Sequence, residues 1–162
     1  MIRSILTCNC LIDIAFVAWS TAQLIKTVAF YVKNKTMNFK RLSESGGMPS
    51  AHSSLVCSVA FTTAYKYGIA STYFSLTLIM AMIVMYDAMG VRRAAGEHAK
   101  ALNVMQDYLV RNSAALPESE RFIPVSAKRY SESLGHRPCE VLAGAALGVC
   151  VASFFIFYLR CV

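Results

Sequence analysis

Charged residues in this chain come in blocks, and the gaps between the blocks are as long as membrane-crossing helices. A bilayer core takes roughly 20 apolar residues as helix. Three windows carry no formal charge, at 45–65, 67–86 and 141–159, and a fourth between Arg3 and Lys26 carries only Asp13. The pattern predicts spans near 5–26, 50–66, 69–89 and 139–159, with connections near 27–49 and 91–137. The first window has some features of a signal peptide, but Asp13 inside it and the lack of a clean cleavage site favour a span. The short turn at Lys66-Tyr67-Gly68 makes spans two and three an antiparallel hairpin. Ala143, Gly144, Ala145, Ala146 and Gly148 place small residues on the fourth span, where they allow close helix packing in lipid.

Between spans three and four the period changes. From Ala94 to Leu109, the residues Ala95, Ala101, Val104, Met105 and Tyr108 recur at helical spacing among Glu97, Lys100 and Asp107. This predicts an amphipathic helix lying in the membrane interface or against the bundle. Residues 112–134, with Pro117 and Pro124, read as an exposed loop. The expected fold is all-α: an integral membrane helical bundle of four transmembrane helices plus an interfacial helix, with residues 1–162 as a single domain.

Composition agrees with this pattern. Hydrophobic residues make up 56% and charged residues 15%, against roughly 25% charged in an average soluble domain. The net charge of +7 raises nucleic acid as a partner, but the placement of the cations removes the need for one. Thirteen of the sixteen Lys and Arg residues fall in the two long connections or, in the case of Lys26, at the end of span one beside them, leaving Arg3, Lys66 and Arg160. The positive-inside rule then puts both connections in the cytoplasm and both termini outside. The six cysteines show neither zinc-ligand spacing nor a paired CxxC, and read as buried free thiols. The methionines of span three read as packing. His98 reads as a solvated or interfacial residue, and Asp13 within span one reads as pairing with a neighbouring helix that the sequence does not identify.

Alternating spans bring one set of polar residues to the cytoplasmic rim. Lys26 ends span one; Ser50 and His52 begin span two; Asp87, Arg92 and Arg93 end or follow span three; His136 and Glu140 begin span four. Such a set suits a phosphate ester. Cations hold the equatorial oxygens, helix N-terminal N–H groups add donors, one imidazole attacks and the other protonates the leaving group. The segment SGGMPSAHS at 45–53 has the character of an anion cradle, with Gly46 and Gly47 allowing close backbone approach and Pro49 suited to starting a helix. Near the fourth span, Glu140 lies where it can accept a proton from one nitrogen of His136 and leave the other nucleophilic. Simpler readings stand beside these. Ser50 suits an N-cap, Glu140 a capping box, and Asp87 an ion pair with Arg92, Arg93 or Lys26.

PSAHS at 49–53 and GHRPCEVLAGAALG at 135–148, with YDAMGVRRAAGE at 86–97 between them, resemble the type 2 phosphatidic acid phosphatase and vanadium haloperoxidase superfamily, in its divergent small membrane branch. The resemblance covers about 26–160. It implies that His136 attacks phosphorus to give a phosphohistidine, that Glu140 stands in the place of an orienting aspartate, and that His52 is the general acid, with Ala51 where the superfamily has glycine. The superfamily's K-x6-R-P motif is absent, since Lys33 follows Lys26 by seven, and Tyr130 stands six residues before His136 where an arginine is usual. Arg92 and Arg93, with Lys26 (or Lys40 in its place) and Ser50, are then expected to hold the phosphate, supported by Asp87, Gly46 and Gly47.

The function so implied is a metal-independent lipid phosphate phosphatase at the cytoplasmic face. It would need no cofactor, and vanadate would act as a phosphate analogue and inhibitor. The expected partners are membrane lipids and the lipid phosphate substrate, and the lateral surface leaves room for a homodimer. Two alternatives stay open at this point: an inactive membrane protein binding anionic headgroups, and a transport or scaffold component.

Overall fold

The computed structural model of the chain describes residues 9–35, 47–113, 129–130 and 135–159. Five helices stand among them: α1 (Cys10–Asn34), α2 (Ala51–Tyr67), α3 (Thr72–Met89), α4 (Val91–Ser113) and α5 (Pro138–Phe157). Each boundary has a local cause. The Asn9 side chain caps α1 by accepting from the Leu11 amide at 3.1 Å, and the Ser71 hydroxyl caps α3 by accepting from the Phe74 amide at 3.2 Å. Pro138 opens α5, where its missing N–H leaves nothing unsatisfied. Gly68, at φ +83°, turns the chain from α2 into α3, making the expected hairpin.

Helix α2 is the centre of the bundle and packs against α1, α3 and α5. Its inner surface is built of small polar residues rather than large apolar ones. Ser50, Ser53, Ser54, Ser58, Thr62 and Thr63 are all buried. Their hydroxyls find partners: Ser54 Oγ donates to Ala18 O of α1 at 3.0 Å, Thr62 Oγ1 to Ser58 O at 2.7 Å, and Thr63 Oγ1 meets Thr77 Oγ1 of α3 at 2.8 Å. Opposite them, Gly144 and Gly148 of α5 lie against the carbonyl oxygens of Ser50 and Ser54, so close that an added β-carbon would collide with both. The large apolar side chains face outward, among them Leu24 and Val28 on α1, Ile79 and Ile83 on α3, and Phe157 on α5. Small residues inside and large ones outside are the arrangement of helices that associate in lipid. A smaller apolar cluster of Ile14, Ala152 and Phe155 joins α1 to α5.

Three helical stretches are long and apolar enough to cross a membrane: Cys10–Val32, the segment Thr72–Asn112 that contains α3, and Pro138–Phe157. The fourth expected span is α2, which at 17 residues is shorter and more polar. The first span needs correction. It was expected near 5–26 with Lys26 at its end, but TVAFYV at 27–32 continues the apolar helix, and α1 runs on to Asn34. Lys26 therefore lies two turns inside a helix. The predicted amphipathic segment is α4, separated from α3 only by Gly90. The loop expected at 112–134 lies largely outside the described residues. Its residues 129–130 return to α4: Asn103 exchanges two 3.0 Å hydrogen bonds with the Tyr130 backbone, and Arg129 spans both carboxylate oxygens of Asp107 at 2.9 Å.

Candidate active site

His136 sits just before α5, with its side chain buried. Three contacts hold it. Its backbone N–H donates to Ala88 O near the end of α3 at 2.9 Å. Its Nδ1 lies 3.1 Å from Glu140 Oε2. Gly135 before it, at φ +88°, is pressed against the backbone of Arg92 and Arg93, where any β-carbon would collide with the Arg93 nitrogen. The loop entering α5 is thus clamped to the α3–α4 elbow. The Nε2 of His136 is buried and has no hydrogen-bond partner.

Glu140 combines two jobs that looked like alternatives in the sequence. The same Oε2 that faces His136 also accepts the Arg137 backbone N–H at 3.1 Å, as a third-position helix carboxylate does. Capping fixes the carboxylate, and the fixed carboxylate orients the ring. A carboxylate at Nδ1 makes that nitrogen the donor and leaves the lone pair on Nε2. Burial is the largest influence on the ring and pulls its pKa below the ordinary 6.5; Glu140 opposes this, while the charges of Lys26 and Arg92 reinforce it. The result is a neutral imidazole at neutral pH.

A cavity of about 220 Å³ adjoins this ring, lined by His52, Ile83, Val84, Asp87, Ala88, Arg92 and His136. Four of the residues singled out from sequence therefore share one concavity, contributed by α2, α3, α4 and the entry to α5. Arg92 Nε donates to Asp87 Oδ2 at 2.8 Å, across the elbow. Arg93 does not join them. Successive helical residues point about 100° apart, and its Nε instead meets Glu97 Oε1 at 3.3 Å on the exposed side of α4.

The remaining sequence candidates stand around this centre. Lys26 is buried in α1, and the methylenes of its side chain pack against Gly47, whose φ of +95° favours glycine. Ser50 is a fully buried N-cap whose Oγ accepts from the Ser53 hydroxyl at 3.0 Å, while its own N–H donates to Glu140 O at 2.9 Å. It joins α2 to α5 behind the site rather than lining the cavity. Gly46 lies outside the described residues. Two positions that carry the geometry were not singled out in advance: Gly135 and the Ala88 carbonyl. A glycine directly before the histidine was the available signal for the first; a backbone oxygen leaves no mark in a sequence. Among the described residues no group of three or more His, Cys, Asp and Glu side chains is gathered as metal ligands are.

The fold and this rim define a helical membrane protein whose ionisable groups are collected at one end of its bundle. The family model described as "Divergent PAP2 family" matches residues 7–151, and the chain belongs to that family. It is similar to a Bacillus subtilis (strain 168) protein described as "Uncharacterized membrane protein YuiD", 31% identical over 140 residues that make up 85% of this chain and 87% of the relative. No solved structure matches the chain.

Proposed function

We propose that this protein is a metal-independent lipid phosphate phosphatase that works at the cytoplasmic membrane face through a phosphohistidine. The observation that carries the proposal is His136, buried, held at Nδ1 by Glu140, and left without a partner at Nε2 beside a cavity that also holds His52 and Arg92. Membership in the Divergent PAP2 family supports the same chemistry.

In the proposed reaction, Nε2 of His136 attacks phosphorus while the bond to the leaving oxygen breaks. The step requires a protonated His52, which gives its proton to the departing alkoxide, so the alcohol leaves neutral. Glu140 stabilises the positive charge that the ring acquires. In the second half, neutral His52 takes a proton from water, the resulting hydroxide attacks the phosphorylated nitrogen's phosphorus, and inorganic phosphate leaves with His136 restored. Arg92 balances the charge on the equatorial oxygens, as guanidinium groups do in other phosphoryl transfers. Lys26 and Arg93 act from further away, and Ser50 and Gly47 hold α2 and Lys26 in position.

The test is phosphate release by the purified protein in mixed micelles, from a panel of lipid monophosphates with EDTA present. Turnover that is blocked by vanadate and absent in His136→Ala supports the proposal; no release from any lipid by a folded preparation overturns it. One observation favours a second reading. Arg92 is already paired with Asp87, and no second arginine faces the cavity among the described residues. A protein that only binds anionic headgroups fits that arrangement, and it would keep its lipid affinity in His136→Ala while the parent shows no turnover.

A further inference from the structure

Two concavities meet on α3. The cavity beside His136 shares Ile83 and Asp87 with a longer groove of about 510 Å³ on the outer side of the same helix, whose other walls are Met82, Met85, Tyr86, Met89 and Val91. The groove is apolar almost throughout. It runs down the side of the least covered span, where only 11% of the apolar window is buried inside the bundle, and ends at the elbow where α3 passes into α4. Asp87, which pairs with Arg92, stands at the boundary and lines both the cavity and the groove.

We propose that this groove holds the hydrocarbon chain of the lipid whose phosphate occupies the cavity, so that substrate enters sideways from the bilayer along α3. The inference deepens the phosphatase reading and rests on it for the position of the phosphate. Three features select a hydrocarbon chain as the occupant. The groove borders the cavity along Ile83 and Asp87, so a molecule with its phosphate at His136 reaches the groove by passing those two side chains. The outer wall is open to the bilayer, with Met82 59% and Tyr86 74% exposed. Three of its side chains are methionines, whose unbranched and polarisable thioethers adapt to a flexible chain. The cavity itself has the volume of about seven waters at ~30 Å³ each, so the phosphate and the first carbons fill it and the rest of the chain must lie outside.

Kinetics and labelling test this separately. The specificity ratio is kcat/KM for hexadecyl phosphate divided by that for phenyl phosphate, which has no chain. Filling the groove with Met82→Trp should lower this ratio about tenfold, through KM for the long-chain substrate. Val28→Trp on the lipid-facing side of α1 should leave it unchanged. An unaltered ratio in Met82→Trp, or an equal fall in both variants, overturns the groove. The unsubstituted protein supplies the second measurement. A hexadecyl phosphonate with a diazirine on its chain should label residues 82–91, and labelling confined to other segments also overturns the groove. Absence of turnover on either phosphate would sink the phosphatase reading instead, while the labelled positions still decide where the chain lies.

Discussion

Glu140 shows how a single side chain can serve the fold and the chemistry together. Its Oε2 caps the first turn of α5 and faces Nδ1 of His136, so the order of residues in a helix start becomes the orientation of a ring. Glu140→Gln keeps the shape but removes the charge that stabilises a ring becoming positive. A decrease in kcat of about 10²–10⁴-fold is expected, by analogy with loss of an orienting carboxylate elsewhere. The pH profile gives a sharper check. Glu140 raises the pKa of His136 against burial, Lys26 and Arg92. Without it the pKa falls further, the ring stays neutral to lower pH, and the acid limb of kcat/KM should move down. Movement of that limb upward would mean that His136 does not set it.

The two neighbouring arginines are also separated at this scale. Arg92 reaches Asp87 and the cavity, whereas Arg93 meets Glu97 on the solvent side. Arg92→Ala should reduce kcat/KM by at least about 10²-fold, the range seen when a charge-stabilising donor is removed. Arg93→Ala should change it by only a few-fold. Parallel losses in steady-state assays of the two variants would contradict this division.

At the scale of elements, the site depends on how closely α5 approaches α2. Gly144 and Gly148 let the Ser50 and Ser54 carbonyls come against the α5 backbone, and Ser50 N–H then reaches Glu140 O. Gly148→Ala leaves every polar residue of the rim in place but pushes a methyl into that seam. It should lower stability by about 1–3 kcal/mol, as over-packing does, read as a lower unfolding temperature in detergent. Gly135→Ala should be at least as damaging, because it combines a positive φ with a collision against Arg93. In that variant the clamp between the α5 entry and the elbow is lost, so activity should fall before the helices themselves melt.

Across the whole molecule, the distribution of charge makes a prediction about sidedness. The α2–α3 end of the bundle carries Lys66 in the last turn of α2, while eleven of the sixteen cations fall between α1 and α2 or between α3 and α5. With the native cysteines replaced, Lys66→Cys should react with an impermeant maleimide from outside intact cells. Pro117→Cys should react only after the membrane is opened. The reverse pattern would move the rim of His52, Arg92 and His136 to the outer face, and with it the leaflet that supplies substrate.

The chain's own pattern was enough to determine an all-helical membrane bundle, the limits of α2, α3 and α5 to within a few residues, the amphipathic α4, and the pairing of His136 with Glu140. These are local properties: hydropathy over one span, capping over one turn, and a histidine four residues from a carboxylate. The depth of Lys26, the division between Arg92 and Arg93, the retirement of Ser50 behind the cavity and the need for glycine at 135 were decided only by the tertiary structure. Each depends on which distant backbone arrives alongside, and packing between elements far apart in sequence leaves no periodic trace along the chain. The hydrophobic pattern states which helices enter the membrane; their contacts decide which of the polar residues at their ends face one another.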